Sequence, residues 1–441
     1  MTNNQPTLFD LPRLRENGKA NKLDLGDRAF HDWYRFVLAY PPHLVRNYMD
    51  SFGLTKESIL LDPFCGTGTT LVESKLLGIP SIGIEANRFA QFATCVKTNW
   101  DVNPDILYQQ AHEIAEIAFE TLLKQGINDN FPFEGDYHSL SLRTLKEEEN
   151  KLILTNSISP LPLHKTLVLL DNLQHLKTEE TYNHMLLALA NTLVTTASNL
   201  HFGPEVGVGK LKTDAPVITS WLSSIEKMAS DLQRVSRRTY PNCYTYFGDA
   251  RCIDELLPLN SVDAVITSPP YPNEKDYTRI TRLESVILGF INDKADLRLM
   301  KKGLIRSNSR NVYKGDDDDK WIENFPEIHQ IADEIENRRI ELGKTSGFEK
   351  LYGKVTTLYF GGMARHLAML RPVLRPNAQL AYVVGDQASY LRVMIHTGQL
   401  LAKIAQYLGY EFVRIDPFRT RLATVTKEQL REEVVILRWK G

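Results

Sequence analysis

The chain has only four cysteines in 441 residues, and Cys65, Cys95, Cys243 and Cys252 form no Cys-x-x-Cys pair. That scarcity argues against a zinc site and against a disulfide framework, and it fits a reducing cytoplasm. There is no excess of charge: a net of −2 leaves no global pull toward a polyanion, so any basic surface has to be local. No apolar run reaches membrane length, and the polar opening Met1-Thr2-Asn3-Asn4-Gln5-Pro6 lacks a basic-then-apolar signal pattern. No internal repeat is visible. No Asp…Glu-x-Lys metal cluster falls on strand-like segments, which sets aside a fused nuclease. What remains is an ordinary globular composition, 43% hydrophobic and 24% charged, long enough for one large domain or two to three smaller ones.

The most informative stretch is Asp62-Pro63-Phe64-Cys65-Gly66-Thr67-Gly68-Thr69-Thr70. The apolar run Ile59–Leu61 has strand character, Cys65 to Gly68 form a glycine turn, and a helix is expected from Thr69. A strand feeding a glycine turn that opens a helix is where a doubly wound sheet binds a nucleotide-like ligand. Glycines there let the backbone approach the ligand, which a Cβ would block. No Gly-Lys-Ser/Thr ending follows, so nothing reaches for a triphosphate. Ser81–Glu85 reads as a second strand ending in an acid. Glu85 lies about 20 residues past the glycines, where a carboxylate can bind both hydroxyls of a ribose.

Along the chain, 1–27 reads as a flexible arm with basic residues Arg13, Arg15, Lys19 and Lys22. Apolar residues from Phe30 to Phe52 recur at helical spacing, and Tyr40-Pro41-Pro42 divides them into two helices. The region 101–239 is patterned as helices, too long for a loop, and reads as a folded insertion. Its glycine-rich segment His201–Lys210 reads as a loop. Strands resume at Cys243–Ala250, ending in Asp249, and at Val262–Thr267, which runs into Ser268-Pro269-Pro270-Tyr271. A second insertion, 276–350, carries six positive charges and no acid between Arg298 and Lys314, followed by Asp316–Asp319, expected as a solvated loop. The basic segment is the best phosphate-contact candidate in the chain. A helix over Leu351–Leu370, a fifth strand over Gln379–Asp386, a helix over Val393–Leu408 and two last strands complete an α/β pattern of seven strands.

The glycine turn and the Ser-Pro-Pro-Tyr turn both sit at carboxyl ends of predicted strands, where open α/β sheets place their ligands. With these two motifs the chain resembles the S-adenosylmethionine-dependent DNA amino-methyltransferases of restriction–modification type. Residues 62–70 look like that family's cofactor motif. Thr267-Ser268-Pro269-Pro270-Tyr271 looks like its catalytic motif, in the form associated with cytosine-N4 methylation; aspartate or asparagine is usual at position 268 for adenine. The segment with Tyr40 is similar to the stretch beside the methionine end of the cofactor. The resemblance covers roughly 28–100, 240–275 and 350–441. Its motif order, cofactor before catalytic, departs from the common N4 order and leaves the location of target recognition open.

The resemblance implies a seven-stranded Rossmann-like methyltransferase sheet, with core segments at 28–100, 240–275 and 351–441. The two insertions, 101–239 and 276–350, would face DNA. It implies S-adenosylmethionine as cofactor, with backbone around Phe64 to Gly68 bordering the methionine. Glu85 would take the ribose, Asp249 the adenine amine, Ala250 the ring face, and Asp62 would order the glycine loop. Ser268 Oγ and the Pro269 carbonyl would accept hydrogen bonds from the target amine, whose lone pair is otherwise delocalised into the ring, and Tyr271 would stack on a flipped base. Tyr277, Arg279 and Arg282 would reach strand phosphates. No metal is implied. Expected partners are double-stranded DNA and, on a separate chain, a cognate restriction endonuclease, in the cytoplasm of a prokaryotic cell. The alternatives are an adenine-N6 DNA or an RNA amino-methyltransferase, and a non-catalytic cofactor- and DNA-binding regulatory subunit.

Overall fold

Strand residues here alternate between two buried faces, and that period of two builds the central sheet. The computed structural model describes residues 23–34, 39–202, 205–273, 275–422 and 429–441. Seven strands form one sheet: β1 (Leu60–Asp62), β2 (Ser81–Glu85), β3 (Cys243–Phe247), β4 (Val262–Thr267), β5 (Leu374–Gly385), β6 (Glu411–Leu422) and β7 (Gln429–Arg438). Their spatial order is 3-2-1-4-5-7-6. The first five are parallel neighbours, and β7 is antiparallel to both β5 and β6. Strand order reverses between β1 and β4, which puts a crevice at their carboxyl ends.

Ala381, Val383, Val434 and Ile436 point to one face, where Val45, Tyr48 and Met49 of α1 (Pro42–Ser51) cover them. Leu380, Tyr382, Val435 and Leu437 point to the other, under the helices Tyr352–Leu370 and Thr397–Tyr407. Burying each of the leucines, valines and Ile436 among them contributes about 1.5–3 kcal/mol. α1 begins at a proline in its first turn, where the missing N–H costs nothing. α2 (Thr69–Leu76) starts at the glycine turn, and α3 (Arg88–Thr98) is capped by Asn87, whose Oδ1 accepts from the amides of Phe89 and Ala90.

A helical lobe follows: α4 (Pro104–Leu123), α5 (Pro160–Leu173), α6 (Tyr182–Thr192) and α7 (Val217–Val235). Trp221 is fully buried at its centre and donates Nε1–H to the Met185 carbonyl at 2.9 Å. Asp129 accepts from the first amides of α7, Val217 at 3.0 Å and Ile218 at 2.9 Å, and pairs with the wholly buried Lys165 at 3.3 Å. After β4 come α8 (Lys294–Lys302), α9 (Pro326–Glu341), α10 (Tyr352–Leu370) and α11 (Thr397–Tyr407). Among the described residues no helix is long and apolar enough to cross a membrane.

The α/β sheet expected from the pattern is the one that forms, with local corrections. Of the helix expected from Phe30 to Tyr40, residues 35–38 lie outside the described residues, and 30–34 hold only a single 3-10 turn at His31–Trp33. Phe30 and Trp33 mimic a helical stripe in sequence, but each is held by the lobe: the Phe30 amide and Trp33 Nε1–H both donate to Asp231. The glycine-rich loop at His201–Lys210 contains a two-stranded antiparallel hairpin, Leu200–Phe202 with Val206–Val208. The helix expected from Val393 starts at Thr397, because Leu391 and Arg392 take positive φ and turn the chain first. The basic residues of the N-terminal arm through Lys22 lie outside the described residues.

Candidate active site

Asp62 ends β1, and among the described residues its carboxylate collects four hydrogen-bond donors rather than a charged partner. Oδ1 accepts from the Phe64 amide at 3.1 Å and from Thr267 Oγ1 at 2.6 Å; Oδ2 accepts from Thr70 Oγ1 at 2.5 Å and the Tyr40 hydroxyl at 3.0 Å. Burial pushes its pKa up, and those four hydrogen bonds pull against the shift. One carboxylate therefore ties the glycine turn, the start of α2, the end of β4 and the Tyr40 segment together. Thr267 is the residue directly before Ser268, so the two motif loops share a wall.

Between them lies a cavity of about 260 Å³. Phe64, Cys65, Gly66, Thr67 and Thr69 line it from the glycine turn, with Tyr40 beside them. Glu85, Asp249 and Ala250 line it from the ends of β2 and β3, and Ser268, Pro269, Pro270 and Tyr271 from the end of β4. Asp62 and Gly68 stand behind this wall. Gly68 takes φ +84° as the residue before α2, where a Cβ would lie 2.8 Å from Thr94 Cγ2.

Glu85 Oε2 accepts the Gly66 amide at 2.9 Å and Oε1 the Asn87 amide at 2.8 Å. Burial pushes its carboxyl up to about 7, with the nearby Asp62 charge adding and the backbone hydrogen bonds opposing. Gly66 has φ +54°, and nothing lies within 4 Å of where its Cβ would sit. Phe64 meets the His366 ring edge-on at 4.9 Å. His366 is buried between the Ala250 carbonyl, 2.8 Å from Nδ1, and the Tyr382 hydroxyl, 2.7 Å from Nε2, and burial lowers its pKa to about 4.

Ser268 Oγ donates to the Val383 carbonyl at 3.2 Å, which leaves its lone pairs as acceptors. The Tyr271 amide donates to the Tyr277 hydroxyl at 3.1 Å. Its ring packs so closely on β5 that a Cβ at Gly385 would lie 3.1 Å from Cε2. Burial raises the Tyr271 hydroxyl pKa, and Glu432 adds to the shift.

Three expectations change here. Tyr277 lies in the cavity wall itself, and Arg282 is turned inward, donating to Thr278 Oγ1 and to the Leu152 carbonyl. The basic segment is only partly a phosphate surface. Arg306 is buried, pairs with Asp316 at 2.7 Å and caps carbonyls of its own segment; Lys301 pairs with Asp276 at 3.0 Å. Arg298, Lys302 and Lys314 are exposed. The acidic run is not solvated throughout: Asp318 is buried against Arg251 and Arg365. Arg306 is taken inside by partners within its own segment, and Asp318 by Arg251 and Arg365 far along the chain.

Sequence reasoning missed Arg251, which clamps Asp249, and the strap Gly303–Asn311, which contributes Leu304, Ile305, Ser307 and Asn311 to the cavity. The strap is fastened to the segment just after Tyr271 by the Asn273 amide on the Ser307 carbonyl, 2.9 Å, and by Asn308 Nδ2 on the Lys275 carbonyl, 3.1 Å. An arginine two positions beyond a strand-end acid was the available signal for the first; the strap had none.

A family model described as DNA methylase, of the N6 and N4 type, matches residues 7–93. The chain is similar to the Type II methyltransferase M.BsoBI of Geobacillus stearothermophilus, 26% identical over 95% of this chain and 85% of the relative. It is similar also to the Type II methyltransferase M.AvaI of Nostoc sp. and of Anabaena variabilis, 21% identical over 90% of this chain and 81% of each relative. These matches support a DNA methyltransferase of restriction–modification type. Methyltransferases of this family take the methyl group from S-adenosylmethionine. The residues of this methyltransferase fit that group: the cavity offers the Glu85 and Asp249 carboxylates, the apolar faces of Phe64, Ile84 and Ala250, and an unobstructed backbone at Gly66. Such a lining suits a cationic, ribose-bearing, aromatic ligand.

Proposed function

We propose that this methyltransferase transfers a methyl group to the exocyclic N4 amine of a cytosine flipped out of duplex DNA at a specific sequence. The observation that carries the proposal is the hydrogen bond from Thr267 to Asp62, because it holds the glycine loop and the Ser-Pro-Pro-Tyr loop on one cavity. Bound S-adenosylmethionine supplies an electrophilic methyl group on a sulfonium.

The protein's own groups do the rest. Glu85 holds the ribose hydroxyls and Asp249 the adenine amine, while Phe64 and Ala250 border the ring. Tyr40 lies beside the methionine end, and the backbone of Cys65, Gly66, Thr67, Gly68 and Thr69 wraps it. Ser268 has its hydroxyl proton committed to Val383, so it meets the target amine as an acceptor. The Pro269 carbonyl is the second acceptor, and Pro269 and Pro270 stiffen both. Two accepted N–H bonds make the nitrogen more tetrahedral and aim its lone pair at the methyl carbon, so positioning lowers much of the barrier. Tyr271 stacks on the flipped base, at a cost of a few kcal/mol for unstacking it from the duplex.

The helical lobe and the second insertion form the DNA-facing cleft in this reading, with Arg298, Lys302 and Lys314 toward phosphates. A separate cognate restriction endonuclease completes the system. The test is methylation of a random duplex library with the purified protein, digestion to nucleosides and mass identification. N4-methylcytosine is the expected product. N6-methyladenine alone would overturn the cytosine assignment, and no methylated base would overturn the enzymatic reading.

A further inference from the structure

Asp249 does not face the cavity alone. Arg251, two residues on and buried, grips it side-on: Nε lies 3.0 Å from Oδ1 and Nη2 lies 2.6 Å from Oδ2. The Arg251 amide adds a bond to Oδ1 at 2.9 Å. A carboxylate has about four lone-pair sites, and this grip consumes those of Oδ1 and part of Oδ2. The acceptor capacity left on Oδ2 suits one N–H donor from a ligand.

The guanidinium is held from its far side by the second insertion. Nη1 pairs with Asp318, and Nη2 donates to the Lys302 carbonyl at 2.9 Å. Asp318 is itself pinned. Arg365 of α10 approaches it at 3.4 Å, and the chain crosses α10 so tightly that a Cβ on Gly361 would lie 2.0 Å from the Asp318 carbonyl oxygen. Removing one member of such a buried charged set leaves another without its partner, so the set holds or fails as a unit.

We propose that Arg251, held in place by Asp318 of the second insertion, is the positioning residue that aims the Asp249 carboxylate at the amino group of the cofactor's adenine. The insertion that faces DNA thereby takes part in recognising the cofactor. The inference rests on the assignment of Asp249 to the adenine amine. Arg251 touches neither substrate nor the reacting atoms.

The test compares the affinity of the full-length protein for two probes: S-adenosylhomocysteine, and its analogue with unsubstituted purine in place of adenine. The wild type binds the adenine probe more tightly. Arg251→Gln weakens it by about tenfold to a hundredfold, the range of a lost hydrogen bond to a charged group, leaves the purine probe nearly unchanged, and so collapses the ratio between them. Asp318→Asn, which keeps shape and volume, lowers the same ratio to a smaller extent and serves if Arg251→Gln does not fold. Equal loss for both probes would mean a merely structural role, and an unchanged ratio in both variants would mean no role; either overturns the proposal. A wild type that does not distinguish the probes overturns the Asp249 assignment itself.

Discussion

Thr267 and Asp62 lie 205 residues apart and share a hydrogen bond of 2.6 Å, with neither side chain exposed to solvent. Parallel pairing of β1 with β4 brings them together, and their contact joins the glycine loop to the Ser-Pro-Pro-Tyr loop. Replacing Thr267 by valine keeps shape and removes one of the four donors to a buried carboxylate. The expected outcome is a loss of about 1–3 kcal/mol in urea unfolding, with a lower turnover number at saturating cofactor. A variant as stable and as fast as wild type would separate the two loops functionally.

Glu85 gives the site a pH dependence. Its folded-state pKa is raised to about 7 from 4.5, chiefly by burial, so the free protein carries a proton there that the unfolded chain loses well below neutrality. The sign follows: between about 4.5 and 7 this group's contribution to stability falls as pH rises. Only the ionised carboxylate accepts from both ribose hydroxyls, so cofactor affinity should rise with pH through about 7 and flatten above it. Calorimetric titration from pH 6 to pH 8.5 checks this, with Glu85→Gln expected to bind weakly and without the inflection (about one proton's dependence).

Ser268→Ala removes one of the two acceptors proposed for the target amine and leaves the residues of the glycine turn unchanged. Turnover should fall by about a hundredfold or more, in the range of losing one preorganised group at a reacting centre, while affinity for S-adenosylhomocysteine stays within about twofold. Single-turnover methylation and direct binding measure the two separately. Wild-type turnover would remove Ser268 from the mechanism.

Gly385 is the packing surface for Tyr271. A Cβ would come within 3.1 Å of both the Tyr271 ring and Glu432 Cγ, so Gly385→Ala must displace the ring. The expected cost is about 1–3 kcal/mol of stability from overpacking, together with a reduced kcat/KM for DNA at unchanged cofactor affinity. An unshifted kcat/KM would show that the ring's position is not what holds the base.

Gly361→Ala tests how the second insertion is seated. The clash is with backbone, 2.0 Å to the Asp318 carbonyl oxygen, so no side-chain rotation relieves it. Limited proteolysis should cut within residues 303–350 sooner than in wild type, and the cut should be slowed by saturating S-adenosylhomocysteine if cofactor and insertion are coupled. Equal cleavage rates would place the strain elsewhere.

Much was determined by the sequence alone, because the signals were local. A strand, a glycine turn and a helix start within residues 59–70 need only neighbouring residues to define them, and strand alternation in 379–384 or 434–437 is a property of the backbone's own period. Most residues expected at the site, from Phe64 to Tyr271, line one cavity because they follow the carboxyl ends of parallel strands, whereas Tyr40, ahead of α1, is brought there by its hydrogen bond to Asp62. Tertiary structure alone decided where charge would point. Arg306 and Asp318 look like solvated charges in a basic and an acidic run, and both are buried because partners far along the chain, or across a turn, offset their loss of water. Phe30 and Trp33 have helical spacing without a helix for the same reason: a buried side chain answers to what surrounds it, and that is written in the fold rather than in its neighbours.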